Sequence, residues 1–538
     1  MLLHVRLKGE NVYATLGQRQ ETLPEGTRLI RDRYGEFFRS RHVAGLAFYS
    51  GRLQTAKQEK ILRPGGISDK ASSWNWPGRI LRKIRGKFAA GVDSCGGSDY
   101  RLPTVKILVI GSGGREHAMV WRLRQSPEVE KIWCAPGNGG IEEDAECVPV
   151  DAGDVGAIVS LAERLRPDLT IVGPEAPLVA GVRNKFECRG LRLVGPSQRD
   201  ARLEGSKIYA KHFMDRYGIP TPTLYGDFES PMEAIRALDA VDWPVVVKAD
   251  GLCGGKGVLV AETRAEAEAF IRRLMQKHEL GLGGSRVLLE HTLEGEELSF
   301  IVLTDGRSFL PMAPTRDHKR VFDGDRGPNT GGMGAYTMDG MITPKYEALI
   351  VKDIVCPTIA GLSEEGIPYT GFLYFGLMIT ANGPMVLEYN CRLGDPETQP
   401  IMMRMNFDLA AAFEAVASHT LDKFKPEWKP GASVCVVMAS AGYPGSFETG
   451  KRITGLDEAT ALPDVAIFHA GTKREDDSYV TSGGRVLGIT AAADSLPHAI
   501  DKAYEAARKI HFDGTQCRTD IGAKGDLRWA VPVEAPRV

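Results

Sequence analysis

The chain has 538 residues, 43% hydrophobic and 25% charged, with a formal net charge of -2. That composition excludes a disordered, collagen-like or strongly basic protein and allows roughly three or four domains with cores of their own. No apolar run reaches the length of a membrane span. The nine cysteines are odd in number and scattered without a CxxC pair, so a reducing, cytoplasmic location is expected, and no secretory leader is recognised.

Charge is unevenly distributed. Residues 1–104 hold about 19 Lys+Arg against about 9 Asp+Glu, including the cluster from Arg79 to Lys87, and show no sustained helix or strand period. Such clusters attract phosphates, which would suit a nucleic-acid or membrane-surface tail. The preferred reading is a poorly ordered, dispensable extension, for instance from a start codon placed too early. Acids throughout its first third disfavour a transit peptide.

Order is expected from Val105-Lys-Ile-Leu-Val-Ile-Gly-Ser-Gly-Gly-Arg-Glu-His117, a buried parallel-type strand that breaks into a glycine turn and opens a helix near Glu116. Alternating units follow: strand 131–134, the loop Ala135-Pro-Gly-Asn138, a helix over 155–165, and strand 169–172 ending in Gly173-Pro-Glu-Ala-Pro177. Repeated βα units imply a doubly wound parallel sheet with a ligand beyond its strand ends. A dinucleotide is disfavoured, because Glu116 stands where G-x-G-x-x-G needs its third glycine. A phosphosugar suits the turn better, flanked as it is by Arg115 and Asn138.

Further on, Lys248 lies on a strand, and a glycine loop carries Lys256 before the returning strand 258–261. The loop is no P-loop, since Gly257 follows Lys256 where Ser or Thr is required; a strand-loop-strand flap whose amides and lysines cover a triphosphate fits instead. In the strand pair 286–300, Glu290 and the backbone of 291–293 could meet an adenine edge and Glu297 a ribose diol, although acids there are ordinarily a solvated strand edge. Glu388 and Asn390, two apart on an apolar strand, point to one face, as a hard cation wants. Arg392 follows with a planar fork suited to carboxylate or phosphate.

Taken in order, these segments resemble the ATP-grasp superfamily and, within it, the phosphoribosylamine-glycine ligase (glycinamide ribonucleotide synthetase) family. The motifs that carry the resemblance include Ile110-Gly-Ser-Gly-Gly-Arg-Glu-His-Ala118, Val172-Gly-Pro-Glu-Ala-Pro-Leu178, Asp317-His-Lys-Arg320, Gly327-Pro-Asn-Thr-Gly-Gly-Met-Gly334 and Arg392-Leu-Gly-Asp-Pro-Glu-Thr-Gln399. The match runs from about 105 to 525. It implies an α/β architecture: an N-terminal doubly wound parallel-sheet domain binding phosphosugar (105–206), a two-lobed α+β ATP-grasp domain (207–427), and a C-terminal mixed α/β domain (428–534) behind the basic extension (1–104).

The implied reaction is ATP-dependent joining of 5-phosphoribosylamine to glycine through glycyl phosphate, in de novo purine synthesis; the alternative is another ATP-grasp carboxylate-amine ligase or carboxylase. Carried over by residue, Lys207, Lys248 and Glu290 form the nucleotide clamp. Leu293 meets adenine, Glu297 the ribose, and Gly254, Gly255, Lys256 and Gly257 close over the phosphates. Glu388 and Asn390 hold Mg²⁺ or Mn²⁺. Arg392 pairs with the glycine carboxylate or the migrating phosphoryl group, and Asp317 with the glycine ammonium. Gly113, Gly114, Arg115, Asn138 and Glu175 face the phosphoribosylamine, and Lys319 and Arg320 add positive charge near a phosphate. A monomer is expected, with small molecules as partners and neither nucleic acid nor membrane.

Two departures stand out. The flap carries Leu252 and Cys253 with extra glycine, which loosens it. Residues 371–378, where many ATP-grasp enzymes place a further metal carboxylate, are uncharged, so a second full metal site is not expected. The C-terminal domain reads equally as packing support or as a contributor to the phosphoribosylamine pocket. Removal of residues 1–104 is expected to leave ligase kinetics unchanged; a large loss of activity in steady-state assays would overturn the view of a dispensable extension.

Overall fold

A computed structural model of the chain describes residues 104–366 and 368–525. Upstream it describes only the backbones of four short strands, Leu2–Leu7, Glu10–Thr15, Leu29–Arg31 and Phe37–Arg39, which form an antiparallel sheet in a unit of their own. Strands of three to six residues are too short for an alternating pattern to stand out, so they carry no readable strand signal. The remainder of the extension and residues 526–538 lie outside the described residues.

The first domain is the doubly wound sheet that its βα units imply. Five parallel strands run in the order Glu146–Cys147, Val129–Pro136, Val105–Gly111, Leu169–Val172 and Leu193–Val194. Alternate residues of the central strand serve opposite faces. Ile107 and Val109 pack with Ala118 and Met119 of helix Gly114–Leu123, and Leu108 and Ile110 with Ile158 and Leu161 of helix Val155–Leu165. Both faces are covered, which is why the strand reads as a continuous apolar run.

Two four-stranded sheets follow. One holds Leu224–Phe228, Val287–His291, Val245–Ala249 and Val258–Ala261 in that order; the other holds Phe309–Pro311, Glu296–Thr304, Gly371–Thr380 and Gly383–Asn390. Lys248 ties them together, donating from Nζ to the carbonyl of Leu387 (2.9 Å).

The last sheet draws on both sides of residue 428. It runs Arg316–Asp317, Gly334–Met338, Ala432–Ser440, Arg485–Ala493, Val465–His469, with Thr515–Gln516 paired to Ala432–Ser440. Helix Leu496–Ala507 buries Ala499, Ala503 and Ala506. Among the described residues no helix is long and apolar enough to cross a membrane.

A histidine pair joins the first and last of these sheets. His117, on helix Gly114–Leu123, accepts at Nδ1 from the backbone N–H of His469 (2.8 Å), and His469 Nδ1 lies 2.9 Å from Thr472 Oγ1. Burial, then the neighbouring His469, lowers His117 to about 3; burial lowers His469 to about 4. Both are neutral in the folded chain and bind a proton near pH 6.5 when it unfolds, so their stabilisation is complete above that pH and declines as pH falls toward 4. The decline is at most ~1.4 kcal/mol per pH unit for each ring. Other groups titrate in this range, so the informative quantity is a difference. His117→Asn keeps an acceptor but cannot titrate, and between pH 6.5 and 5 urea unfolding should show wild type losing more stability than this variant; equal slopes would refute the assignment.

Candidate active site

Between the two four-stranded sheets lies a cleft into which lysines project from separate elements. Lys207 opens helix Lys207–Arg216, whose cap Ser206 donates to Asp250 (2.7 Å), and its Nζ lies 3.4 Å from the Gly251 carbonyl at the base of the flap. In the flap, Gly254 and Gly255 have φ of 56° and 77°, a region glycine enters without strain, and Gly254, Gly255 and Lys256 are exposed. A Cβ on Gly255 would come within 3.2 Å of the Thr330 carbonyl, so the flap tip rests against the loop from Gly327 to Gly334.

Glu290, expected beside adenine in the nucleotide clamp, makes two ion pairs. It is buried between two ammonium groups, 2.6 Å from Lys248 Nζ and 2.9 Å from Lys211 Nζ. Burial alone would raise its carboxyl; Lys248 and Lys211 outweigh that and hold it low. Each oxygen faces one lysine, so the side chain orients Lys248, and lone pairs remain on both oxygens for a further donor. Leu293 is half-buried on the turn that follows.

The strand Gly383–Asn390 carries Glu388 opposite Gly376 and Asn390 opposite Tyr374, an unbroken register that sends both side chains to the same face. The bulge falls just before, between Val386 and Glu388, and turns the Leu387 carbonyl to Lys248. Burial would raise the Glu388 carboxyl, but Lys319, Lys207, Lys248 and Arg392 together hold it low, so cations from four segments converge on it. Glu297, expected to meet a ribose, is bonded through one oxygen to Lys319 Nζ (2.6 Å), which also lies 4.0 Å from Glu388. Asp317 is half-buried beside them and raised to about 7, by burial first, with Lys319 opposing and Glu397, Glu297 and Glu388 adding to the rise. Arg320 is exposed and donates to the Gly327 carbonyl (2.6 Å), away from this group.

Beyond Asn390 the chain enters a densely bonded segment. Arg392 is held between Glu175 (3.1 Å), at the start of the short helix Glu175–Val179 of the N-terminal domain, and the buried Glu204 (2.8 Å), whose other oxygen accepts from the Cys391 N–H (2.7 Å). Asp395 pairs with Arg485 (3.1 Å), which also donates to the carbonyls of Asp395 and Gly331 (2.6 Å each). Glu397 Oε1 accepts from Ser299 (3.2 Å) and Tyr374 (3.0 Å). The glycine turn lies directly on this segment: a Cβ at Gly114 would stand 2.6 Å from Gln399 Nε2, and one at Gly113 3.2 Å from Asp395 Oδ2.

Two expected phosphoribosylamine contacts are used internally. Asn138 donates to the carbonyls of Ser112 and His469 (2.8 Å each) and accepts from the N–H groups of Gly140 and Ile141 (3.0 Å each), which exhausts its amide. Arg115 is buried, bonded to Glu116 (2.6 Å) and the Leu393 carbonyl (3.1 Å). Glu116 Oε2 in turn accepts from the Gly113 N–H (2.6 Å), so this donor at the helix start is already taken by a carboxylate. Both residues brace the glycine turn.

Phosphoribosylglycinamide synthetase family models match the chain in three consecutive parts: the N domain at 105–204, the ATP-grasp (A) domain at 205–398 and the C domain at 433–524. The chain belongs to the phosphoribosylglycinamide synthetase family. It is 48% identical over 427 residues to a phosphoribosylamine–glycine ligase of Allochromatium vinosum, and 49% to one of Pseudomonas aeruginosa, covering 79% of this chain and 99% of each relative. A crystal structure of the Thermotoga maritima phosphoribosylamine–glycine ligase matches with a TM-score of 0.68 and 34% identity, over 77% of this chain and all of that one. The biotin carboxylase domain of Hydrogenobacter thermophilus 2-oxoglutarate carboxylase matches at 0.60 and 18%, over 78% and 92%, which reflects a shared fold.

For a phosphoribosylglycinamide synthetase, the residues that sequence reasoning missed are Lys211, Glu204 and Arg485. Each acts by partnering a motif residue from a distant segment; the one local signal is the Gly-Gly pair before Arg485. Glu290→Ala would leave two buried ammonium groups without their carboxylate, so a loss of about 3–5 kcal/mol in unfolding free energy is expected. A variant of unchanged stability but weakened ATP binding would favour the adenine reading.

Proposed function

We propose that the chain joins glycine to 5-phosphoribosylamine at the expense of ATP, giving glycinamide ribonucleotide, ADP and phosphate, as in de novo purine synthesis. The observation that carries this is the convergence of Lys207, Lys248 and Lys319 on Glu388, with Arg392 next to it reaching Glu175 of the N-terminal domain, in a chain 48% identical to phosphoribosylamine–glycine ligases. The likeness to biotin carboxylases rests on 18% identity and gives no support to a carboxylase.

The route is stepwise. A glycine carboxylate oxygen attacks the γ-phosphorus of ATP, ADP leaves, and the amine nitrogen of phosphoribosylamine then attacks the glycyl carbonyl carbon; the C–O bond to phosphate breaks and the nitrogen loses a proton. The protein's task is alignment, charge neutralisation and exclusion of water from the mixed anhydride. Lys207 and Lys248 offset the triphosphate charge while the flap covers it. Asp317, near neutrality on its own, would be held ionised by the glycine ammonium. Arg392 keeps its charge between two carboxylates, while its Nη1 donates to the Leu393 carbonyl (3.2 Å). The glycine turn and Arg485 bound the space for the phosphosugar.

A divalent cation fits the donors present. Glu388 and Asn390 offer one carboxylate and one amide oxygen on a common face, and the described residues contain no cluster of three or more His, Cys, Asp or Glu able to form an all-protein cage. That is the donor set of Mg²⁺ or Mn²⁺ held partly by nucleotide phosphates. When bound, the ion would supply Lewis-acid stabilisation of phosphoryl oxygens. The reading further includes a monomeric, cytoplasmic enzyme built from units at 105–206, 207–427 and 428–534.

Purified protein should release ADP only when glycine and phosphoribosylamine are both supplied; release with bicarbonate or another amino acid in their place would exclude this specificity. Glycine labelled with oxygen-18 in its carboxylate should deliver one labelled oxygen to phosphate, and unlabelled phosphate would rule out the acyl phosphate. Glu388→Gln should lower kcat by ~100-fold.

A further inference from the structure

The hairpin Arg320–Phe322/Arg326–Asn329 leaves the cleft directly after Lys319 and returns directly before Thr330. Its tip is gripped by a short run near the end of the described chain. Arg518, fully buried, donates from Nε and Nη2 to Asp520 (2.7 Å each) and from Nη1 to Asp325 (2.8 Å) and the Arg320 carbonyl (3.0 Å). Asp520 accepts from the Gly324 N–H (2.9 Å), and the backbone of Thr519 donates to Asp323 (2.8 Å). The grip therefore holds residues 320, 323, 324 and 325 at once.

The two strand ends that leave this grip carry chemistry. Thr330 donates from its N–H and its hydroxyl to the Lys319 carbonyl (2.8 Å each), locking the hairpin base. Lys319 Nζ reaches Glu297 and lies near Glu388, while the Thr330 carbonyl faces the flap glycine Gly255. His318, between Asp317 and Lys319, turns the other way: it is buried, and Arg518 and Lys524 are among the charges that act on its ring. This stretch thus presents one side to the cleft and the opposite side to the grip.

We propose that Arg518, with Asp323 and Asp520, is a positioning element of the nucleotide site: by fixing the hairpin it sets Lys319 against the metal-side carboxylates and sets the ledge on which the flap closes. A residue of the C-terminal domain would then govern how tightly ATP is held without touching it. A purely structural role is the weaker reading, because two of the four bonds from this guanidinium hold the hairpin directly and the other two hold Asp520, which binds the Gly324 N–H, while the hairpin ends continue into Lys319 and Thr330.

The inference rests on the ligase reading for its meaning, and its test is nucleotide binding, which stands even if the amine substrate has been misassigned. In the full chain, Arg518→Met should weaken MgADP binding by about tenfold in calorimetry, raise KM for ATP more than it lowers kcat, and recover in part as Arg518→Lys. Asp323→Ala removes the Thr519 contacts without emptying a buried site and should act in the same direction, so the test survives if Arg518→Met fails to fold. Combining either variant with Lys319→Met should add little further loss. Folded variants that bind MgADP as wild type does, or losses that simply add to that of Lys319→Met, would overturn the proposal.

Discussion

Arg392 and Asp395 stand three residues apart, and each is neutralised by a side chain from another part of the molecule: Glu175 and Glu204 for the first, Arg485 for the second. These partners come from the N-terminal domain, the segment leading into the ATP-grasp lobes, and the C-terminal sheet. Glu397, two residues on, is held by Ser299 and Tyr374 of the second lobe. One short segment therefore carries the relative placement of all three parts around the cleft. Separating any of them would leave a charge in a poorly solvated setting without its partner, a cost of several kcal/mol, which makes the assembled arrangement the favoured one. The glycines at 113 and 114 follow from this constraint, since any side chain there would strike Asp395 or Gln399.

The electrostatics of the cleft have a division of labour. Lys211 and Lys248 share one buried carboxylate, leaving the three groups with a surplus positive charge close to the Leu387 carbonyl. Glu297, Glu388 and Asp317 surround Lys319, leaving a surplus of negative charge on the other side. A triphosphate chelating a divalent cation is itself such a pair, with anionic oxygens and a cationic end. The cleft is thus polarised along the direction in which that ligand would lie.

Much of this was legible in the chain before any coordinates. The parallel sheet followed from 105–111 and 169–172, the flap from glycines around Lys256, and the paired Glu388 and Asn390 from their spacing on an apolar strand. What escaped was everything decided by contacts between distant segments. Asn138 and Arg115 sit in glycine-rich loops as ligand-binding residues often do, and only the carbonyls of Ser112, His469 and Leu393 reveal that the Asn138 amide is spent and that Arg115 is tied to the Arg392 segment. The ion pairs of Glu290 were not readable because Lys211 is far off in sequence. Edge strands of two residues, such as Arg316–Asp317, carry too little pattern to be read at all.

The sheet that joins Gly334–Met338 to Ala432–Ser440 orders events as well as atoms. During synthesis the earlier strand emerges well before its partner and must wait with its backbone N–H and C=O groups unpaired, open to any other strand edge nearby. Between the two lie the strands and helices of the second lobe, which can fold from local and nearly local contacts in the meantime. Asp317, itself paired to this waiting strand, is therefore among the last to gain its final surroundings. A ribosome-bound chain would then have most of its nucleotide lobe synthesised before the strand that completes the surroundings of Asp317 has emerged.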